Sequence, residues 1–186
     1  MQRGISSQIE KSDMHQFITT PRLIVSSPVL ADFDDLYNLQ SNPAVMTFIG
    51  NGRRNKEEVL IGLQKAISHQ EKHGFSLGSV YLKNSQQFIG RAGLIYMNYN
   101  DEQPEIEVAY ALYPEYWGQG YATELVEFLL EWAYRSLQIT HIFAAVNPDN
   151  LRSKRVLIKS GMSAYRNELY NNKEVEIWQS EKLITL

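Results

Sequence analysis

Residues Trp117-Gly118-Gln119-Gly120-Tyr121-Ala122-Thr123 set two glycines against the opening of a long amphipathic helix. Glycine permits the turn dihedrals that let successive backbone N–H groups converge. A helix start adds unpaired N–H groups and partial positive charge, which together make a phosphate cradle. Ten residues earlier, Glu107 stands in mid-strand beside the small side chains of Ala109 and Ala111. Strand alternation places Glu105, Glu107, Ala109, Ala111 and Tyr113 on one face and Ile106, Val108, Tyr110 and Leu112 on the other. A carboxylate so placed can face a cleft and take a proton. A solvated strand face gives the same pattern, and a β-bulge would shift its parity. Other chemistries have little support. With no cysteine, thiolate–metal sites, disulfides and cysteinyl intermediates are excluded. A serine nucleophile is disfavoured: the Gly-x-Ser-x-Gly run at Gly74 to Gly78 follows a helical stretch and opens a strand, the reverse of the strand-to-helix elbow that exposes such a serine. His69 and His73 lie four apart without a carboxylate partner pattern, so no metal is expected.

The elements that must hold these residues are legible from periodicity. Leu23-Ile24-Val25 reads as a short strand, Asp32 to Leu39 as a helix, and Ala44 to Phe48 as a second helical piece. Lys56 to His73 forms a longer helix stopped by Gly74. The period then becomes two: Phe75 to Leu82, Gln87 to Met97 and Glu105 to Tyr113 read as three antiparallel strands. A helix from Gly120 to Leu137, a strand at His141 to Val146 and a short helix from about Asn150 to Ser160 follow. Tyr165 to Tyr170 and Val175 to Lys182 form a hairpin around Asn171-Asn172. The unit 105–146 is a right-handed parallel crossover with the glycine turn at the carboxyl end of its first strand, where open α/β sheets bind ligands. Residues 1–18 show no periodicity and are expected to be a flexible arm; 19–186 read as one domain. The 44% hydrophobic and 21% charged residues suit a globular chain, and a net charge of −3 gives no field for nucleic acid or an anionic membrane. No membrane span or signal core is visible, and a cytoplasmic protein is the expectation.

Three phosphate ligands compete for the turn. A Walker A loop requires Lys followed by Ser or Thr after its second glycine, and neither is present. A dinucleotide fingerprint requires a third glycine where Thr123 stands, near the start of a fold rather than after 116 residues. The third is an acyl-CoA. The chain resembles the GNAT superfamily of acyl-CoA N-acyltransferases, in particular its ribosomal-protein N-terminal acetyltransferase branch. Thr20-Pro21-Arg22-Leu23-Ile24-Val25 is similar to that branch's first strand, and Asp32 with Leu36 to its first helix. Trp117-Gly118-Gln119-Gly120-Tyr121-Ala122 occupies the pyrophosphate signature, with Trp117 departing from the usual Gln or Arg. Asn150-x-x-Ser153, with Ser160-Gly161-Met162, resembles the second signature, Met162 replacing Phe.

The resemblance implies a GNAT fold: a mixed, mostly antiparallel sheet of about seven strands flanked by helices, with one parallel strand–helix–strand crossover. It implies an N-acetyltransferase that uses acetyl-CoA as co-substrate and transfers directly to a primary amine. Gly118, Gln119, Gly120, Tyr121, Ala122 and Thr123, with Trp117, would surround the pyrophosphate; backbone groups around Leu112 and Tyr113, and Asn150, would bind the pantetheine arm. Asn150 equally suits a helix cap. Glu107 is the implied base, Ser153 the donor to the thioester sulfur, and Tyr170 or Tyr165 the acid for the thiolate. Arg152, Lys154, Arg155 and Lys159 either approach the CoA 3′-phosphate or form a solvated helix face. The acceptor is a protein N-terminus or a small amine, the chain a monomer or homodimer. A CoA-binding sensor on the same fold is the competing function.

Overall fold

A computed structural model describes residues 16–170 and 173–181, without the side chain of Tyr170. Its elements are β1 (Gln16–Thr19), β2 (Leu23–Ser26), α1 (Phe33–Ser41), α2 (Pro43–Met46), α3 (Lys56–His73), β3 (Leu77–Leu82), β4 (Phe88–Tyr96), β5 (Ile106–Leu112), α4 (Tyr121–Ser136), β6 (His141–Val146), α5 (Leu151–Lys159), β7 (Ser163–Tyr170) and β8 (Lys173–Glu181). Among the described residues one eight-stranded sheet runs in the order β1-β2-β3-β4-β5-β6-β8-β7. Every neighbouring pair is antiparallel except β5–β6, joined through α4 as the crossover anticipated.

The strand beyond the anticipated seven is β1, which overlaps the end of the expected arm. Four residues are too few to display a period, yet Ile18 is buried and the Phe17 ring meets Trp132 edge-on at 4.7 Å. Most of the expected arm, the Asn171-Asn172 turn and Lys182 lie outside the described residues.

Helix α4 covers one face of the sheet. Its apolar stripe, Leu125, Val126, Leu129, Leu130 and Ala133, packs in one core with Ile106, Val108 and Leu112 of β5 and with Ala92 and Leu94 of β4. The other face is covered by α1 and α3 through Leu36, Val59 and Leu63, and by α2 where Val45 and Met46 meet Ala111. The parity read from β5 therefore holds: its hydrophobic positions face α4 and its Glu–Ala positions face the opposite layer. α3 is framed by a capping box of Asn55 and Glu58 and ends on Gly74 at φ 78°.

The sheet has one discontinuity. β4 and β5 register over seven residue pairs and β6 and β8 over six, whereas β5 and β6 share the single pair Glu107↔Phe143. Beyond it the parallel strands part toward their carboxyl ends. Pro114 and Pro148, each just past its strand, lack the N–H that would extend a ladder. At about 3.3 Å per residue, the opening runs roughly 20 Å from Glu107 to Tyr113.

Candidate active site

The open end of this split is capped by the glycine turn. Gly118 and Gly120 have φ of 76° and 81°, in the left-handed region that glycine alone enters without cost. Gly120 is the N-cap of α4 and supplies no side-chain cap. The N–H groups of Gly118, Gln119, Gly120, Tyr121, Ala122 and Thr123 find no acceptor among the described residues; pairing resumes at Glu124 N–H, which donates to Gly120 O at 3.0 Å. A Cβ on Gly118 would meet nothing within 4 Å. Six unpaired donors at the positive end of a 16-residue helix fit a pyrophosphate.

The turn is braced from both sides. Trp117, the residue that departs from the expected signature, donates its indole N–H to Leu112 O at 2.8 Å, and the Arg152 guanidinium lies 4.8 Å from its ring centre. From the first strand region, Arg22 donates through Nη1 to Gln119 O at 3.0 Å and stacks on Tyr121 at 4.3 Å. The Glu124 carboxylate accepts from Arg22 Nε at 2.6 Å, Arg22 N–H at 2.9 Å and Thr20 Oγ1 at 2.5 Å. Burial pushes the Glu124 carboxyl up, but the bonds from Thr20 and Arg22 outweigh it and hold the group below its ordinary range. Sequence reasoning used Thr20-Pro21-Arg22 only as a likeness; the structure gives it a task.

Along the split, Tyr113 N–H donates across to Ile89 O of β4 at 3.0 Å. By antiparallel alternation the backbone groups of Tyr110 and Leu112 then turn toward the split, with Leu112 O taken by Trp117. On the far side, Asn150 caps α5 by accepting from Ser153 N–H at 3.1 Å through Oδ1. Its side-chain N–H groups have no acceptor among the described residues. The cap uses the oxygen end of the amide and leaves the nitrogen end unengaged among the described residues.

Ser153 Oγ lies 2.8 Å from the hydroxyl of Tyr110. Burial pushes the Tyr110 phenol up to about 12, so both hydroxyls stay protonated and the pair keeps one proton for a further acceptor. Tyr110 was missed in the sequence because its parity assigned it to the core side; only α5 folding back over β5 reveals its hydroxyl as a partner. Glu107, at 5% exposure, stands at the closed vertex of the split, facing the α1–α3 layer near Tyr99. Tyr165 is exposed, its ring 6.0 Å from that of Phe143, and Tyr170 ends β7 with its side chain outside the described part.

The basic run divides. Lys154 is half-buried in an ion pair with Glu176 at 2.7 Å, Arg152 stacks beside the turn, and Arg155 and Lys159 are exposed on the helix. His69 is structural: Nδ1 faces Phe75 O at 2.7 Å and Nε2 accepts from Tyr96 N–H at 3.2 Å, which fixes the neutral ring. Burial lowers its pKa further. Among the described residues no cluster of three or more His, Asp or Glu side chains is placed to hold a metal, and no helix is long and apolar enough to cross a membrane.

A model of the acetyltransferase (GNAT) domain matches residues 22–163. The uncharacterized N-acetyltransferase YoaA of Bacillus subtilis (strain 168) is 26% identical over 164 residues, covering 86% of this chain and 91% of the relative. The structure of ribosomal-protein-S5-alanine acetyltransferase from Vibrio fischeri superposes with a TM-score of 0.71 at 19% identity, over 90% of this chain and 97% of that one. Aminoglycoside acetyltransferase AAC(6')-Ib in complex with coenzyme A does so at 0.70 and 16% identity, over 86% and 94%. At these identities the structural likeness establishes the fold.

Proposed function

The chain belongs to the GNAT acetyltransferase family, and from that premise we propose that it moves an acetyl group from acetyl-CoA directly to a primary amine within a ternary complex. The observation that carries this reading is the split between β5 and β6, with a row of free N–H groups at its open end and a buried carboxylate at its vertex.

In this reading the N–H groups of Gly118 to Thr123 bind the pyrophosphate, while Leu112 N–H and the Asn150 amide hold the pantetheine arm in place of the missing β-ladder. Glu107 takes the proton of the incoming ammonium, directly or through one water, freeing the nitrogen lone pair. The new C–N bond forms as the amine attacks the thioester carbonyl, and the C–S bond breaks as the tetrahedral centre collapses. Ser153, held by the Tyr110 hydroxyl, donates a hydrogen bond to the departing sulfur and lowers the cost of its negative charge. On collapse the nitrogen gives its second proton to solvent, and the thiolate gains one from solvent, directly or relayed through the Ser153–Tyr110 pair, and leaves as free thiol. Direct transfer needs no covalent enzyme intermediate, in keeping with a chain that lacks cysteine.

The test is an acceptor panel of amines and peptide N-termini with acetyl-CoA, read by thiol release, in wild type and Glu107→Gln. The expected result is turnover that falls about 10²- to 10⁴-fold in the variant near neutral pH and recovers where the amine is already neutral. Identical pH–rate profiles would remove Glu107 as the base. Tight acetyl-CoA binding with silence across the whole panel would replace catalysis by a sensor function.

A further inference from the structure

On the same face of the sheet as Glu107, Arg91 of β4 points beneath α1 and α3. It borders a cavity of about 20 Å³ lined by Leu36, Gln40, Gly62, Leu77 and Tyr99 among others. The Arg91 side chain makes no hydrogen bond or ion pair among the described residues. Arg54 approaches the same place: its Nη1 donates to Gln40 Oε1 at 3.0 Å and lies 3.3 Å from where a Cβ of Gly62 would stand. Arg54 too has no carboxylate partner among the described residues. Two guanidinium groups converging on a small cavity without a counter-charge are unfavourable, since a half-buried cation ordinarily has an anion beside it. Burial, with Arg54 adding, pulls Arg91 down to about 10.

The backbone reinforces the arrangement. Asn98 and Tyr99 hold φ of 58° and 55°, a left-handed pair that is unusual for tyrosine and sets its phenol against the cavity. Tyr99 lines the cavity with Arg91 and lies within the electrostatic reach of Arg91, Glu107 and Arg54.

The geometry points to an anion subsite for the acceptor: Arg91 and Arg54, with Gln40 and Tyr99, receive a carboxylate or phosphate carried by the same molecule whose amine meets Glu107. This rests on the acetyl-transfer reading above and narrows it to amines that bear an acidic group. Arg91 pairs with Ala111 and Glu107 with Ile95, four positions along the sheet and roughly 13 Å apart. In an acceptor that reaches both residues, the amine and the acid are therefore separated by several bonds.

Two acceptor pairs test this: 6-aminohexanoate against its primary amide, and glucosamine 6-phosphate against glucosamine. In the wild type the anionic member of at least one pair should have a kcat/KM about 10- to 100-fold higher, the range of one or two charge-assisted hydrogen bonds. Which pair responds separates carboxylate from phosphate. Arg91→Met should bring the ratio toward one, Arg91→Lys should retain part of it, and Arg54→Met should reduce it. A ratio of one for both pairs while other amines are acetylated, or a preference that survives Arg91→Met, overturns the subsite and leaves acetyl transfer standing. If no amine is acetylated, melting decides. With CoA saturating the glycine turn, phosphate or acetate should raise the Tm of wild type and not of Arg91→Met, while the ligand-free variant should melt no lower than wild type because an unpaired cation is gone. Equal shifts in both proteins, or a large loss of stability in the ligand-free variant, overturn the proposal.

Discussion

Glu124→Gln should weaken the protein and its cofactor cradle together, in a manner that depends on pH. The wild-type carboxylate accepts three hydrogen bonds, from Thr20 Oγ1, Arg22 N–H and Arg22 Nε. The amide keeps one acceptor oxygen and turns its NH₂ against a donor. Charge-assisted bonds contribute about 1.5–3 kcal/mol each when sheltered. The Arg22 side chain is 44% exposed against 12% for Glu124, so the ion pair itself is discounted to below about 1 kcal/mol. The Thr20 and backbone bonds remain, for a total near 2 kcal/mol. In a chain of this size that lowers Tm by about 4–8 °C. Because the Glu124 carboxyl is held below its ordinary 4.5 in the folded state, its contribution is complete above that pH and disappears as pH falls through its lower folded value. Paired thermal melts from pH 7 down to pH 3 should show a constant gap that closes only below about pH 4.5. A gap that is absent at neutral pH, or unchanged at pH 3, refutes the reasoning. Calorimetry at pH 7 should show weaker acetyl-CoA binding as well, since Arg22 also holds Gln119 O.

Two further substitutions separate the parts of the site. Gly120→Asp places a side chain where φ is 81°, 3.4 Å from Arg22 Nη2, and an anion where a pyrophosphate is proposed; acetyl-CoA affinity should fall at least about 100-fold by calorimetry while the circular dichroism spectrum is retained. Tyr110→Phe removes the phenol partner of Ser153 and leaves the core contact; kcat should fall about 5- to 20-fold with acetyl-CoA affinity held, and a fall in affinity alone would show the pair to be a binding device.

What the sequence disclosed follows the reach of its signals. The period change from 3.6 to 2 located α3, β3, β4 and β5 to within about two residues, because one buried face per element imposes that spacing. The two glycines marked the turn before α4 because no other residue tolerates those dihedrals so readily. β1 escaped notice since its stability comes from pairing with β2 rather than from its own pattern. The split between β5 and β6 was invisible, as both strands are ordinary in composition and only their divergence makes the cleft. Arg91 carries no signal in the sequence; that its side chain finds no partner among the described residues follows from how the helices pack on the sheet. Trp117 looked irregular beside the expected signature, and its indole bond to Leu112 O supplies the reason for an aromatic donor there.

The link from Arg22 to Glu124 and Gln119 also bears on how the protein is made. It joins positions 102 and 97 residues apart, so the cradle is held by a contact of long sequence separation and not by its local turn alone. During synthesis Thr20 and Arg22 leave the ribosome first and must wait for the whole first half of the sheet and the start of α4 before they find their partners. If the turn holds the cofactor as proposed, competence to bind it arrives late in folding, when the amino-terminal edge closes onto the helix. A fragment that carries the glycine turn and α4 by themselves would contain the motif without the cradle.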